Sequence, residues 1–489
     1  MKKSFLTAIA AAAFCLFGAP QAQAQNGYEV PPLDPELSTM INEVIDLQLS
    51  DPDKANKQFA KLMRKISKNK ENLLAVGQAF LDKKVYPCAN QCSKQIYVIA
   101  PEYIPGLMFS GEVCMLRKDY GAAGQKFDEV LSIDSTYIPA LKRNAFVYKN
   151  VNPHVAIEML QKIKNVEPGN TSADRELGDI YYNLDEYQEA VNNYKTYFTT
   201  VTNNDATDVR AAENYLQSLY AIQEFTELSK QSERFVKLDP NDVVLKRMRF
   251  FADAENYEID SAKVSAEYIT LKQHPDSVYI YLDYAYAGNL MAEIGDLPKA
   301  IEFYETGLKR DTTKVDGYKL LADLYRRNKQ TDEGIKTYEY YLQRKGDKAT
   351  DNDKFGLGRQ LLTASQQKDI PAEKKAAYVA EGDKIFAEIL QANPKAYQAA
   401  LLRAAINITD GTKPEEKVKN LYETALNIME SDEDAPASQK LQALRYLAFY
   451  YVQTDEYDSA RKYCNEILKL DPTNSFGKQI DDFLKSVNK

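Results

Sequence analysis

The sequence predicts an all-α protein: an α–α superhelix of about 11–12 helix–turn–helix units with one further helix capping its C-terminal end. Three observations predict it. Small residues recur in pairs twelve apart, such as Gly178 and Ala190, and the pairs repeat with a period close to 34. Each period holds two amphipathic stretches of about a dozen residues, apolar at helical spacing. Several periods end on a proline just past the second stretch, as at Pro101, Pro240, Pro394 and Pro472. A 34-residue, two-helix period is the mark of a stacked α-solenoid, in which each unit touches only its neighbours. That frees a 489-residue chain from the usual division into about three domains.

The chain opens on a separate segment, 1–24. Lys2 and Lys3 precede an apolar run from Phe5 to Phe17, Gly18 and Pro20 break it, and Ala22-Gln23-Ala24 supplies a small–x–small pattern. This reads as a secretory signal peptide cleaved after Ala24. The run is shorter than the ~20 apolar residues that a membrane span needs. Lipidation at Cys15 is disfavoured because Phe14 stands where a small residue is normal. The expected location is outside the cytoplasm, the periplasm first, with no direct membrane span. Residues 25–35, rich in proline (YEVPPLDP), form an extended lead-in.

The units then follow in order, numbered here from position 1 to 34, with a small residue at position 8 and alanine at position 20. An N-terminal array is expected over 36–204. Its first unit, about 36–69, is weak, with Glu43 at position 8 but Ala55 and Phe59 in place. Gly77 and Ala89, then Gly111 and Ala123, then Ala145 and Ala156, then Gly178 and Ala190 carry the next four. The openings YIPGL at 103–107 and YIPAL at 137–141 repeat at the same step. Residues 205–280 are degenerate: Leu216 and Leu228 take the small positions, and the register is uncertain around Phe250, Phe251, Ala262 and Ile269. A C-terminal array over 281–472 resumes with Gly288 and Ala300, Ala322 and Gly334, and Gly356 at the same step. An insertion of about 14 residues near 367–380 (QQKDIPAEKKAAY) delays Pro394 and implies a longer turn and second helix. Ala404, Tyr422 and Ala425 mark a loose unit, and Ala448 and Ala460 a clean last one. Residues 473–489 read as a polar amphipathic capping helix.

Glycine inside a helix costs about 1 kcal/mol against alanine. Gly77, Gly111, Gly178 and Gly288 accept that cost, so each marks a close approach between the helices of its pair. Short helices of this length gain their stability from stacking.

On these small–small spacings the chain, over about 36–489, resembles the tetratricopeptide-repeat (TPR) family in its exported, Gram-negative form, although it has no Trp at the first helix's usual position. The resemblance implies a TPR solenoid whose first helices, called A here, line a concave inner wall, with positions 2, 5, 9, 12 and 13 facing a ligand. Those positions are Lys142, Phe146, Lys149 and Asn150 in the fourth unit, and Arg175, Asp179, Tyr182 and Asn183 in the fifth. The unit starting near 315 gives Lys319, Asp323, Arg326 and Arg327. A basic and aromatic ledge over 142–183 suits an acidic peptide, because Lys and Arg pair with carboxylates and Tyr adds contact area. The family's two-carboxylate clamp is not evident.

Charge and motif content narrow the function classes. The formal net charge is −9, and without Lys2 and Lys3 the 60 basic and 71 acidic residues leave −11. An acidic surface argues against nucleic acid, and no basic run suits an anionic membrane. There is no phosphate loop, nucleophile elbow or Walker pattern. His154 and His274 lack spaced partners, and the acidic run SDEDAP reads as solvated charge. Neither a metal nor a cofactor is expected. Cys88, Cys92 and Cys114 could pair in an oxidising compartment or simply be buried. Most of the 34 tyrosines fall at core positions, but Tyr279, Tyr281, Tyr284 and Tyr286 leave a sugar-binding role open. The expected function is a non-enzymatic scaffold that holds a protein or peptide in the cell envelope and organises a membrane-associated complex. The alternative is a soluble glycan- or nutrient-binding protein on the same repeats.

Overall fold

A computed structural model describes residues 27–201, 208–368, 370–409, 411–432 and 434–487. The leader, its cleavage point after Ala24, and Cys15 lie outside the described residues. Among the described residues there are 26 α-helices and no strand. They form twelve successive pairs and a lone last helix, the TPR-solenoid architecture. The chain divides into two compact units, one ending at Ala252 and the other starting at Asp253. The division falls within the stretch 205–280, whose repeat pattern is the most blurred.

In the first unit the pairs are α1 (Pro35–Ser50) with α2 (Pro52–Ile66), α3 (Lys70–Asp82) with α4 (Tyr86–Ile99), and α5 (Ile104–Leu116) with α6 (Tyr120–Ile133). Next come α7 (Ile138–Tyr148) with α8 (Pro153–Val166), α9 (Thr171–Asn183) with α10 (Tyr187–Thr200), and α11 (Val209–Ala221) with α12 (Phe225–Val236). Helix starts follow local chemistry. Asn69, Asp119 and Asn170 cap α3, α6 and α9 by accepting from backbone amides of the first turn. Pro105 and Pro139 sit in the first turns of α5 and α7, where no amide is needed.

Packing within a pair is set by the small positions. Ala89, Ala123, Ala156 and Ala190 are fully buried. The close neighbour of each glycine is an aromatic ring more than a backbone. A Cβ on Gly111 would lie 2.3 Å from the Phe127 ring, and one on Gly178 would lie 2.7 Å from the Tyr194 ring. Phe127 and Tyr194 stand at position 24 of their second helices, called B, one turn beyond the alanine. The missing side chain therefore seats a ring across the pair. In α11 and α12, Leu216 and Leu228 keep the small positions' register and are fully buried. Phe198, Tyr215 and Phe235 pack there as a ring cluster.

α13 (Val243–Glu255) spans the division, with Phe250 at position 8. Its partner is broken into α14 (Ile259–Ser265) and α15 (Glu267–Thr270), with Ala262, at position 20, fully buried. Tyr268 and Tyr279 secure the following loop. Tyr268 Oη donates to Asp283, and Tyr279 Oη donates to the Tyr268 carbonyl at 2.6 Å. The second unit continues with α16 (Tyr281–Glu293) and α17 (Leu297–Arg310), then α18 (Val315–Arg327) and α19 (Thr331–Lys345). In the latter pair glycine and alanine exchange places, and a Cβ on Gly334 would lie 3.1 Å from the Ala322 carbonyl oxygen.

α20 (Asp351–Ser365) starts 36 residues after α18, and α22 (Tyr397–Ile406) starts 46 after α20. The extra length is thus shared between the turn at 346–350, a six-residue turn after α20, and α21 (Ala372–Ala392), which runs 21 residues. Gly356 consequently does not continue the series. A Cβ there would meet Tyr338 of the preceding pair, while Gly358 faces Phe386 of its own pair at 2.7 Å. α23 (Glu416–Glu430) pairs with α22, α24 (Ala437–Gln453) with α25 (Tyr457–Leu470), and α26 (Ser475–Val487) closes the chain. α26 buries Leu484 and leaves Phe483 exposed.

One feature recurs through both units. The residue at position 15 is left-handed in eight pairs: Lys84, Lys118, Asp185, Gln223, Tyr257, Gly295, Lys329 and Asp455. The next amide donates back to the carbonyl at position 11, as from Glu186 to Tyr181 at 2.9 Å and from Gln330 to Tyr325 at 2.9 Å. This is the Schellman closure of helix A, which satisfies its last carbonyls and turns the chain into helix B.

Candidate binding faces

On the A-helix side of the first unit, three expected cations meet. The charges of Lys142 of α7, Lys149 at its C-terminal cap and Arg175 of α9 all act on Glu176, as does that of Asp179. Burial pushes the Glu176 carboxyl up, and Arg175, Lys149 and Lys142 act to lower it. Lys149 lies 4.6 Å over the ring of Phe146, itself exposed. Arg175 also reaches Asp179 at 3.3 Å, and Asp179 accepts from Tyr194 Oη at 2.6 Å. Tyr182 Oη donates to Gln217 of α11 at 3.2 Å, so its hydroxyl is turned to the next pair. Asn150 and Asn183 are exposed where α7 and α9 end. The ledge thus carries three cations and two acids, Glu176 and Asp179, with the exposed ring of Phe146 beside Lys149.

The same face of the same unit already holds an extended segment. Tyr28 of the lead-in is 4% exposed and donates to Gln78 Oε1 of α3 at 2.7 Å. The Gln78 amide in turn donates to Asp82 at 2.7 Å. Beside the phenol, Glu112 of α5 pairs with Arg143 of α7 at 2.6 Å. Burial pushes the Tyr28 phenol well above its usual range, and the charges of Glu112 and Asp82 add to that. The Gly27 carbonyl accepts from Tyr137 Oη at 2.8 Å. Val30 and Leu33 pack on the apolar cluster beneath. The lead-in therefore crosses three helix pairs along their A helices.

In the second unit, Lys319, Arg326 and Arg327 all lie on α18, but they do not converge. Lys319 pairs with buried Asp353 at 3.0 Å. Burial acts to raise the Asp353 carboxyl, but hydrogen bonds from Tyr341, Lys319, the Thr350 backbone and Lys345 outweigh it and hold the group far below the carboxylate range. Arg326 is paired with Asp323 on its own helix. Arg327 donates to the Ala292 carbonyl at 3.2 Å and lines an open cavity of about 550 Å³ with Glu255, Tyr257, Tyr286 and Glu293. Tyr286 donates to Glu255 across it.

Residues 441–474 match the family model of the tetratricopeptide repeat. That window covers α24 and α25, with Ala448, Asp455 and Ala460 at positions 8, 15 and 20, the positions that recur from pair to pair. This helix pair is a tetratricopeptide repeat. Among solved structures the chain is similar to the C-terminal part of a TPR repeat-containing protein from Cytophaga hutchinsonii, at 20% identity over 55% of this chain and 98% of that one, with a TM-score of 0.45. It is similar also to a tetratricopeptide repeat protein from Parabacteroides merdae, at 16% identity over 53% of this chain and 97% of that one, TM-score 0.34. A third is PilF of Pseudomonas aeruginosa, at 14% identity over 44% and 96%, TM-score 0.32. No curated protein matches the chain.

Other groups in these helix pairs are structural. Cys88, Cys92, Cys114 and Cys464 are all free thiols, so neither Cys88 nor Cys92 pairs with Cys114. Burial pushes the Cys88 thiol up to about 11. Cys92 lies 3.7 Å from the Met63 sulfur as a core contact. No group of metal-ligating side chains is found, and no helix is long and apolar enough to cross a membrane, among the described residues. Tyr279 and Tyr284 are buried, and Tyr281 is half-buried against Gly317. Gln78 and Glu112, which face Tyr28, stand at position 9, one of the ligand-facing positions of the repeat, whereas Arg143 stands at position 6 and carries no such signal.

Proposed function

We propose that this chain is a non-enzymatic scaffold that holds a protein or peptide partner on the A-helix face of its first unit. The observation that carries this reading is the ledge: Lys142, Lys149 and Arg175 outnumber the two carboxylates beside them, Glu176 and Asp179, in a chain whose net charge is −9. A local positive patch on an acidic protein favours an acidic segment, and the acidic surface around it confines that segment to the patch. Phe146 beside Lys149 adds an exposed apolar contact. The place of work we propose is the cell envelope, after export, supported by the leader pattern ending at Ala24. There the scaffold organises a membrane-associated complex without spanning the membrane itself.

The test is affinity capture from an envelope extract with the wild type and with Lys142→Glu/Lys149→Glu/Arg175→Glu. The proposal expects one protein captured in stoichiometric amount by the wild type, more of it at low salt, and at least a tenfold loss with the triple variant. Undiminished capture by the variant, or glycan binding without a protein partner, overturns it.

A further inference from the structure

We infer that the Tyr28 slot is a docking site for an extended partner segment that brings its own tyrosine, and that residues 27–33 are its resident occupant. This rests on the reading of the first unit's A-helix face as a partner surface. The slot selects by chemistry. Its floor is Gln78, 8% exposed, whose amide is committed to Asp82 and whose Oε1 faces the phenol. An acceptor left buried without a donor costs about 1–3 kcal/mol, so an apolar side chain is a poor substitute for tyrosine. Phosphotyrosine is a worse one, since it brings no donor for Gln78 Oε1 and its charge would face Glu112 and Asp82, with Arg143, already paired to Glu112, the smaller opposing influence.

The flanks select too. Gly27 has φ +71°, and a Cβ there would lie 2.5 Å from Pro139 Cβ, so the residue before the tyrosine must be glycine. Pro31 and Pro32 hold the following residues extended while Val30 and Leu33 meet the cluster. The occupant is also releasable. It belongs to no helix pair and is joined to α1 at the N-cap Asp34, so swinging it out breaks no intrahelical hydrogen bond. A tethered occupant competes at an effective concentration in the millimolar range. A partner segment must therefore match its chemistry and exceed its affinity.

The experiment uses the full chain and a labelled peptide of residues 27–35, GYEVPPLDP, read by fluorescence anisotropy. Tyr28→Ala should bind the peptide at least tenfold more tightly than the wild type, and a phosphotyrosine version should not bind. Equal binding by the two chains, or none by a Tyr28→Ala chain that melts like the wild type, overturns the proposal. If Tyr28→Ala unfolds the first unit, the wild type decides. Saturating peptide should speed cleavage after Glu29 by a glutamate-specific protease at least fivefold, and an unchanged rate overturns the proposal. A wild-type dimer with lead-ins exchanged between two copies overturns a partner as the occupant. Failure here, with capture still lost in the Lys142/Lys149/Arg175 variant, leaves the ledge reading standing.

Discussion

Gly111 shows how one absent side chain sets the spacing of a helix pair. Its Cβ position lies 2.3 Å from a fully buried ring, so a methyl there must push Phe127 into neighbours that are also buried. Overpacking of this kind costs about 1–3 kcal/mol, more than the ~1 kcal/mol that alanine gains over glycine in a helix. Gly111→Ala should therefore lower stability by up to about 2 kcal/mol in denaturant melts. Gly121 has open space around it, and Gly121→Ala should be neutral or stabilising by up to about 1 kcal/mol. The small residue was legible in the sequence; the ring that fills the gap was not, because many aromatics share its helix face. Glu213 makes a pH prediction. Burial first, and then Asp242, raises its carboxyl from 4.5 to about 7. The folded chain thus holds this proton more tightly than the unfolded one. Its contribution favours folding at low pH and is lost as pH rises from about 4.5 through 7. Glu213→Gln should melt higher than the wild type at pH 8 and close to it at pH 4. Lys319, expected on the binding wall, is instead tied to Asp353. Lys319→Ala should lose about 1–3 kcal/mol of stability, the worth of a hydrogen bond to a charge, and leave partner capture unchanged.

At the scale of elements, the repeat is defined as much by its turn as by its small residues. The left-handed residue at position 15 is Lys, Lys, Asp, Gln, Tyr, Gly, Lys and Asp in successive well-formed pairs. No common chemistry links these side chains, which is why the turn could not be read from the sequence. The backbone demand is shared even so, and only Gly295 meets it without strain. Gly295→Val should destabilise its pair by about 1–2 kcal/mol, the penalty for a side chain in the left-handed region. Tyr257→Gly should have the opposite sign in thermal melts. The blurred centre was illegible for a related reason. Leu216, Leu228 and Phe250 occupy the small positions and are fully buried there, keeping the period while erasing its signal. The insertion was legible as a length but not as a place. Two of its residues precede α20, and that shift is what moves the packing role from Gly356 to Gly358.

At the scale of the whole molecule, the fold is the part of the account that periodicity carries, because a one-dimensional array repeats its packing rule at every step. The binding face is not periodic. Lys142, Lys149 and Arg175 come from two different repeats, and position numbering marks the three cations and Asp179 but not Glu176, at position 6. The lead-in was read as extended, yet its descent onto α3, α5 and α7 depends on a contact between Tyr28 and Gln78, fifty residues apart. Such a pairing has no local signature. If the working surface is the A-helix side of the first unit, hydrogen–deuterium exchange of the full chain with and without its captured partner will show new protection in α7 and α9, with a change at residues 27–34, and no change in α4, α6 and α8. Protection confined to those B helices, or to the second unit, would contradict that placement.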